Sequence, residues 1–177
     1  MRNFTLQLKI ELMASITLGG NPAATIGTLP TVGSTALNFK LTATDLSSKT
    51  LADYNGMRKI MNIFPSVDTG VCAASARKFN EEASGLENTK VLCISRDLPF
   101  AQARFCGAEG IENVEMLSDY KNGSFGKEYG VEITESAFTG LHARAVVVLD
   151  ENNKVLYTEL VPEIGQAPNY EAALNAL

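Results

Sequence analysis

Most of the chemistry open to this chain lies in three sulfur atoms, those of Cys72, Cys93 and Cys106. A cysteine attacks only as its thiolate, and a helix N-terminus is one of the few backbone settings that stabilises an anion. Cys72 occupies such a setting. Residues 59–64 read as a buried strand, 65–69 as a turn, and Gly70 as the start of a helix running to about Leu86. Ala76, Phe79, Ala83 and Leu86 follow Cys72 at offsets of four, seven, eleven and fourteen, which at helical period puts all five on one face. The sulfur is therefore expected to point toward the protein body. Gly70 leaves room beside it, Thr69 can cap the helix and bring a hydroxyl to the thiol, and Pro65 stiffens the turn and helps exclude water.

Asp68 opposes a thiolate, so a cation has to come from elsewhere. Arg144 is the candidate. It stands just ahead of the apolar run 145–149, and near a strand end of a parallel sheet it could reach a neighbouring strand-to-helix turn; the alternative is a surface arginine at a sheet margin. A guanidinium keeps its charge at any working pH and donates through a fork. Cys106 lies 34 residues beyond Cys72, late in a second helix predicted over 98–106, where the dipole disfavours an anion. It is expected to stay a thiol that can condense with a sulfenic acid on Cys72. Cys93, inside an apolar strand, is expected in the core. His142, the one histidine, reads as a surface or loop residue; the rival reading is the base of a Cys–His hydrolase, for which no orienting acid or oxyanion hole is evident. Phe100 and Phe105 flank the second helix, lining an apolar approach to the site or simply packing in the core.

The elements that must hold these residues alternate strand and helix. Apolar runs at 60–64, 91–94 and 143–149 read as buried strands, 155–161 as the hairpin partner of the third, and 169–177 as a closing helix. Shorter strands are predicted at 113–117 and, by alternation of Leu37, Phe39, Leu41 and Ala43, at a sheet edge; 124–129 is predicted as a short helix. Asp97 reads as an N-cap ahead of Pro99. Gly19-Gly20-Asn21-Pro22 suggests a hairpin turn between 14–18 and 23–26. The order predicts a thioredoxin-like α/β fold, a central sheet flanked by helices. Residues 1–12 alternate like a strand but precede a second methionine at Met13, so they are expected to be an extension to one domain spanning 13–177.

Composition narrows the function further. A net charge of −5 without a Lys/Arg cluster argues against nucleic acid as a partner. No apolar run approaches the roughly 20 residues of a membrane helix, and no secretory signal is visible. Three irregularly spaced cysteines without a CxxC pair speak against a disulfide scaffold, a zinc site and a thioredoxin-type dithiol. A reducing cytoplasm is the expected compartment, with no metal or cofactor.

The run from Asn62 to Ser75, with the run Leu98-Pro99-Phe100-Ala101-Gln102-Ala103-Arg104-Phe105-Cys106-Gly107, closely resembles the bacterial thiol peroxidases, which are atypical 2-Cys peroxiredoxins. Residues 143–148 and 150–152 match as well, and the likeness runs from about Met13 onward. It implies a thioredoxin fold with an added N-terminal β-hairpin. It places the family's Pro-x-x-x-Thr-x-x-Cys motif on Pro65, Thr69 and Cys72 and its arginine on Arg144. Cys72 would then be the peroxidatic and Cys106 the resolving cysteine, joined as a disulfide during turnover. The resemblance further implies a homodimer that reduces hydrogen peroxide and alkyl hydroperoxides and takes its electrons from thioredoxin. A redox sensor, whose disulfide is a signal, is the reading from another class.

Overall fold

The computed structural model describes residues 13–177; the strand expected at 1–12, and its standing as an extension, lie outside the described residues. The strands are β1 (Ser15–Leu18), β2 (Asn21–Thr25), β3 (Lys40–Ala43), β4 (Ser48–Thr50), β5 (Arg58–Ile63) and β6 (Thr89–Ser95). They continue with β7 (Glu115–Ser118), β8 (Ile133–Glu135), β9 (Ala145–Leu149) and β10 (Val155–Leu160). The helices are α1 (Gly70–Ala83), α2 (Pro99–Glu109), α3 (Ser124–Glu128) and α4 (Tyr170–Asn175), with a 3-10 turn at Leu51–Tyr54.

Seven strands form one mixed sheet in the order β10-β9-β5-β6-β7-β3-β4, and β1-β2-β8 form a second. Strands β5, β6 and β7 are parallel; β9 runs antiparallel to β5. The central strands read as continuous apolar runs because both of their faces are covered. Ile60, Val146 and Val148 pack under α1, α2 and α4, whereas Met61, Leu92 and Val147 pack with Phe125 of α3 and with Tyr129. The predicted face of the first helix lies on this sheet. Cys72, Ala76 and Phe79 are 0% exposed, and Phe79 meets the Tyr170 ring edge-on at 5.2 Å. Burying one such phenylalanine contributes about 1.5–3 kcal/mol.

Several expectations need correction. β3 is interior, because the three-residue β4 covers its outer side. β4, β8 and the 3-10 turn are too short for periodicity to register. α1 ends at Ala83, so Leu86 packs from the following loop. α2 continues past Gly107 to Gly110, which ends it in the left-handed conformation at φ 65°. Its N-cap is Leu98 and not Asp97, because the Asp97 carboxylate is engaged by the neighbouring turn. His142 is no surface residue. It is 0% exposed, with Nε2 3.0 Å from Asp119 Oδ2.

Candidate active site

Strand β5 delivers the chain to the buried Pro65, and the turn that follows starts α1 with Cys72 as its third residue. The first turn of α1 carries no acidic side chain to compete for the helix dipole. Asp68 lies outside it and faces Arg104 Nη2 at 3.2 Å in an exposed pair. Thr69 is the N-cap by backbone, but its hydroxyl does not cap the helix as expected. It lies 2.7 Å from Cys72 Sγ and 3.0 Å from the Ser66 carbonyl. One hydroxyl proton cannot serve two acceptors. With a protonated thiol, S–H points to Oγ1 and the hydroxyl to Ser66; with a thiolate, the hydroxyl turns to the sulfur.

Arg144 supplies the cation. It is 2% exposed, places Nη2 3.2 Å from Cys72 Sγ, and donates from Nε to the Ile164 carbonyl at 2.9 Å. Nη1 has no partner among the described residues. The reason for the meeting differs from the parallel geometry expected. Ala145 pairs with Ile63 in antiparallel register, so the residue before β9 lies at the end of β5. In a parallel pairing it would lie at the opposite edge. Leu160 pairs with Ala145 in turn, which brings the chain after β10 to the same edge.

A cavity of about 150 Å³ opens beside this group, lined by Pro65, Thr69, Arg144, Leu18, Phe138 and Ile164 among others. Its lining is mostly apolar, with the Thr69 hydroxyl and the guanidinium as polar points. Phe100 is not brought to it. That side chain is 65% exposed on α2, while Phe105 is buried in the core. Cys106 is a partly buried free thiol in the same helix, and burial pushes its pKa up. Cys93 is wholly buried, and desolvation pushes its thiol up to about 12 despite a hydrogen bond from Asn62. Among the described residues no group of three His, Cys, Asp or Glu could hold a metal ion, and no helix is long and apolar enough to cross a membrane.

Sequence reasoning missed the side chains that hold the site in place. Asn62, the polar break in β5, donates to Ser75 Oγ at 3.3 Å, and Ser75 donates to the Cys72 carbonyl at 2.9 Å. That chain fixes the second turn of α1 over the strand. Asp97 accepts from Ser66 Oγ at 2.7 Å, from the Val67 amide at 2.9 Å and from Ser95 Oγ at 2.7 Å. It thereby ties the turn before Cys72 to the turn before the helix of Cys106. The acidic residue after an apolar strand was visible, but two roles share that signal. His142 points to Asp119, which also accepts from the Phe125 and Gly126 amides of α3.

Comparison with known proteins places this geometry. The redoxin family model matches residues 31–174. The chain is 54% identical over 165 residues to the thiol peroxidase of Corynebacterium glutamicum, covering 93% of this chain and 99% of that one. Among solved structures, a peroxiredoxin-like protein from Aquifex aeolicus is 40% identical with a TM-score of 0.86, covering 93% of this chain and 96% of that one. A thiol peroxidase from Chromobacterium violaceum, 24% identical with a TM-score of 0.85 over 91% of this chain and 93% of its own, shares the fold.

Proposed function

We propose a course for the reaction from one premise: the chain belongs to the redoxin family, to its thiol peroxidases, and reduces peroxides at the expense of a thiol. Cys72 is the attacking sulfur. The observation that carries this is the pair of donors on one buried sulfur, Thr69 Oγ1 at 2.7 Å and Arg144 Nη2 at 3.2 Å, at the N-terminus of α1. Each is placed to donate to the sulfur when it is a thiolate.

The Cys72 thiolate attacks one oxygen of the O–O bond. That bond breaks, the sulfur is oxidised to a sulfenic acid, and the other oxygen leaves as alkoxide or hydroxide and takes up a proton. Arg144 lines the cavity and keeps Nη1 without a partner among the described residues, so its guanidinium is placed to hold a peroxide oxygen and to stabilise the charge that builds on the departing one. Cys106, whose thiol burial holds at a raised pKa in the folded helix, gives up its proton as it attacks the sulfenic sulfur, and that proton leaves with the sulfenic hydroxyl. The disulfide forms and water leaves. A dithiol reductant of the thioredoxin kind restores both thiols by exchange. A disulfide needs Cα atoms about 4.4–6.8 Å apart, and the two cysteines here are free thiols on separate helices. Local unwinding of α1, α2 or both therefore precedes closure.

The cavity's apolar walls suit alkyl hydroperoxides as well as hydrogen peroxide. We assign a homodimer, thioredoxin as reductant and a cytoplasmic setting from the family likeness. The test is substitution with mass spectrometry. Cys72→Ser is expected to abolish reaction with peroxide, and Cys106→Ser to allow one turnover that leaves a sulfenic acid on Cys72. Near-normal turnover in Cys72→Ser removes the assignment.

A further inference from the structure

The loop after β10 contains a carboxylate that the reaction as drawn does not use. Glu163 Oε2 accepts from Thr17 Oγ1 at 2.6 Å and from the Gly20 amide at 3.0 Å, while Oε1 accepts from the Gly19 and Gly165 amides at 3.0 Å each. Four donors thus fill both oxygens. Three come from the β1–β2 hairpin and one from the loop of Glu163 itself. Gly19 and Gly20 have φ of +58° and +79° with open space where a Cβ would sit. Conformation and not crowding explains these glycines: the two-residue turn aims two successive amides at one anion.

What this carboxylate joins is the wall of the cavity. Leu18, next to the turn, and Ile164 and Gly165, next to Glu163, all line it. The Ile164 amide donates to the Thr17 carbonyl at 2.9 Å, and the Ile164 carbonyl accepts from Arg144 Nε at 2.9 Å. The hairpin, the loop and the guanidinium are therefore linked through three consecutive residues.

We propose that Glu163 is a positioning residue for peroxide reduction. It seats the hairpin turn as one wall of the peroxide cavity and, through the Ile164 carbonyl, holds Arg144 in line with Cys72. The inference rests on Cys72 and Arg144 acting as described above. It predicts that selectivity between a bulky and a small peroxide depends on a side chain that touches neither. Glutamine at this position keeps the shape but loses one of the two anionic oxygens and brings an N–H against donors; alanine leaves all four donors without their acceptor.

The experiment compares the full-length protein with Glu163→Gln and Glu163→Ala, using cumene hydroperoxide and hydrogen peroxide with a dithiol reductant in excess. In Glu163→Ala, kcat/KM for cumene hydroperoxide is expected to fall by roughly ten- to a hundred-fold, as for a misplaced binding wall. The fall with hydrogen peroxide is expected to be smaller, most of the loss appearing in KM, with Glu163→Gln between. Amide exchange at Gly19 and Gly20 should quicken in the same order while that of β5 does not change. A folded Glu163→Ala whose ratio of the two kcat/KM values stays within twofold of the parent overturns the inference. Should Glu163→Ala fail to fold, the ratio in Glu163→Gln decides by the same criterion. Cys72→Ser tests the underlying assignment separately, so its failure is not confused with this one.

Discussion

The Thr69 hydroxyl has both the Ser66 carbonyl and the Cys72 sulfur within reach but one proton to give to either, and this makes it responsive to the sulfur's charge. A serine can do the same and a valine cannot. Thr69→Val is expected to slow the reaction of Cys72 with peroxide about 10²–10³-fold, the usual cost of one lost donor at a reacting centre. Thr69→Ser should stay within about tenfold of the parent. Stopped-flow measurement of the first oxidation checks both, and a valine variant within threefold of the parent contradicts the role. At this scale the sequence offered candidates wherever a residue type suited to the chemistry stood beside a turn or a strand end. The thiol after Pro65 and Thr69 stood out, and Arg144 before an apolar strand was a candidate cation or a surface residue until the Ile63–Ala145 register brought it to the sulfur. His142 and Glu163 escaped because a lone imidazole and a loop carboxylate are ordinary on surfaces. Only the tertiary pairing with Asp119, or with the Gly19–Gly20 turn, distinguishes them.

Between elements, the Asp97 carboxylate is the join: the turn entering α1 hangs from the turn entering α2. In Asp97→Asn the amide N–H₂ faces groups that are themselves donors, and the cost should be on the order of 1–3 kcal/mol of stability. Hydrogen exchange should rise together over 65–70 and 96–99. If only one of the two turns responds, the tie is not what couples them. The strands and long helices were legible from periodicity, since β5, β6 and β9 are buried on both faces and α1 presents one apolar stripe. Their directions were not. Apolar runs do not state whether neighbours are parallel, and the antiparallel entry of β9 emerges only from the Ile63–Ala145 register.

For the molecule as a whole, the hairpin sheet and the main sheet are joined through Glu163, and the joint has a pH signature. Hydrogen bonds from the Thr17 hydroxyl first, then from the Gly165, Gly20 and Gly19 amides, hold its pKa down at about 2 against an ordinary 4.5. A depressed carboxylate stabilises the fold fully above its unfolded value and loses that contribution as pH falls toward the folded one. The difference in melting temperature between the parent and Glu163→Gln should therefore be constant from neutral pH to about 5 and shrink between 4.5 and about 2. Thermal melts across that range provide the check, and a gap that persists undiminished at the acid end would rule out this source of stability.

The register of β9 has one more consequence. Arg144 stands immediately ahead of a sheet strand, Cys72 in the first turn of a helix. If, on the course proposed above, it is that turn that unwinds to let the two sulfurs meet, the guanidinium stays tied through Nε to the Ile164 carbonyl, and the socket remains assembled while its plug is away. What draws the plug home is charge, and a disulfide has none to offer. On that course the 3.2 Å contact between guanidinium and sulfur is one that a reduced Cys72 can remake and a disulfide cannot, so the fold needs no added sensor to tell spent sulfur from regenerated sulfur.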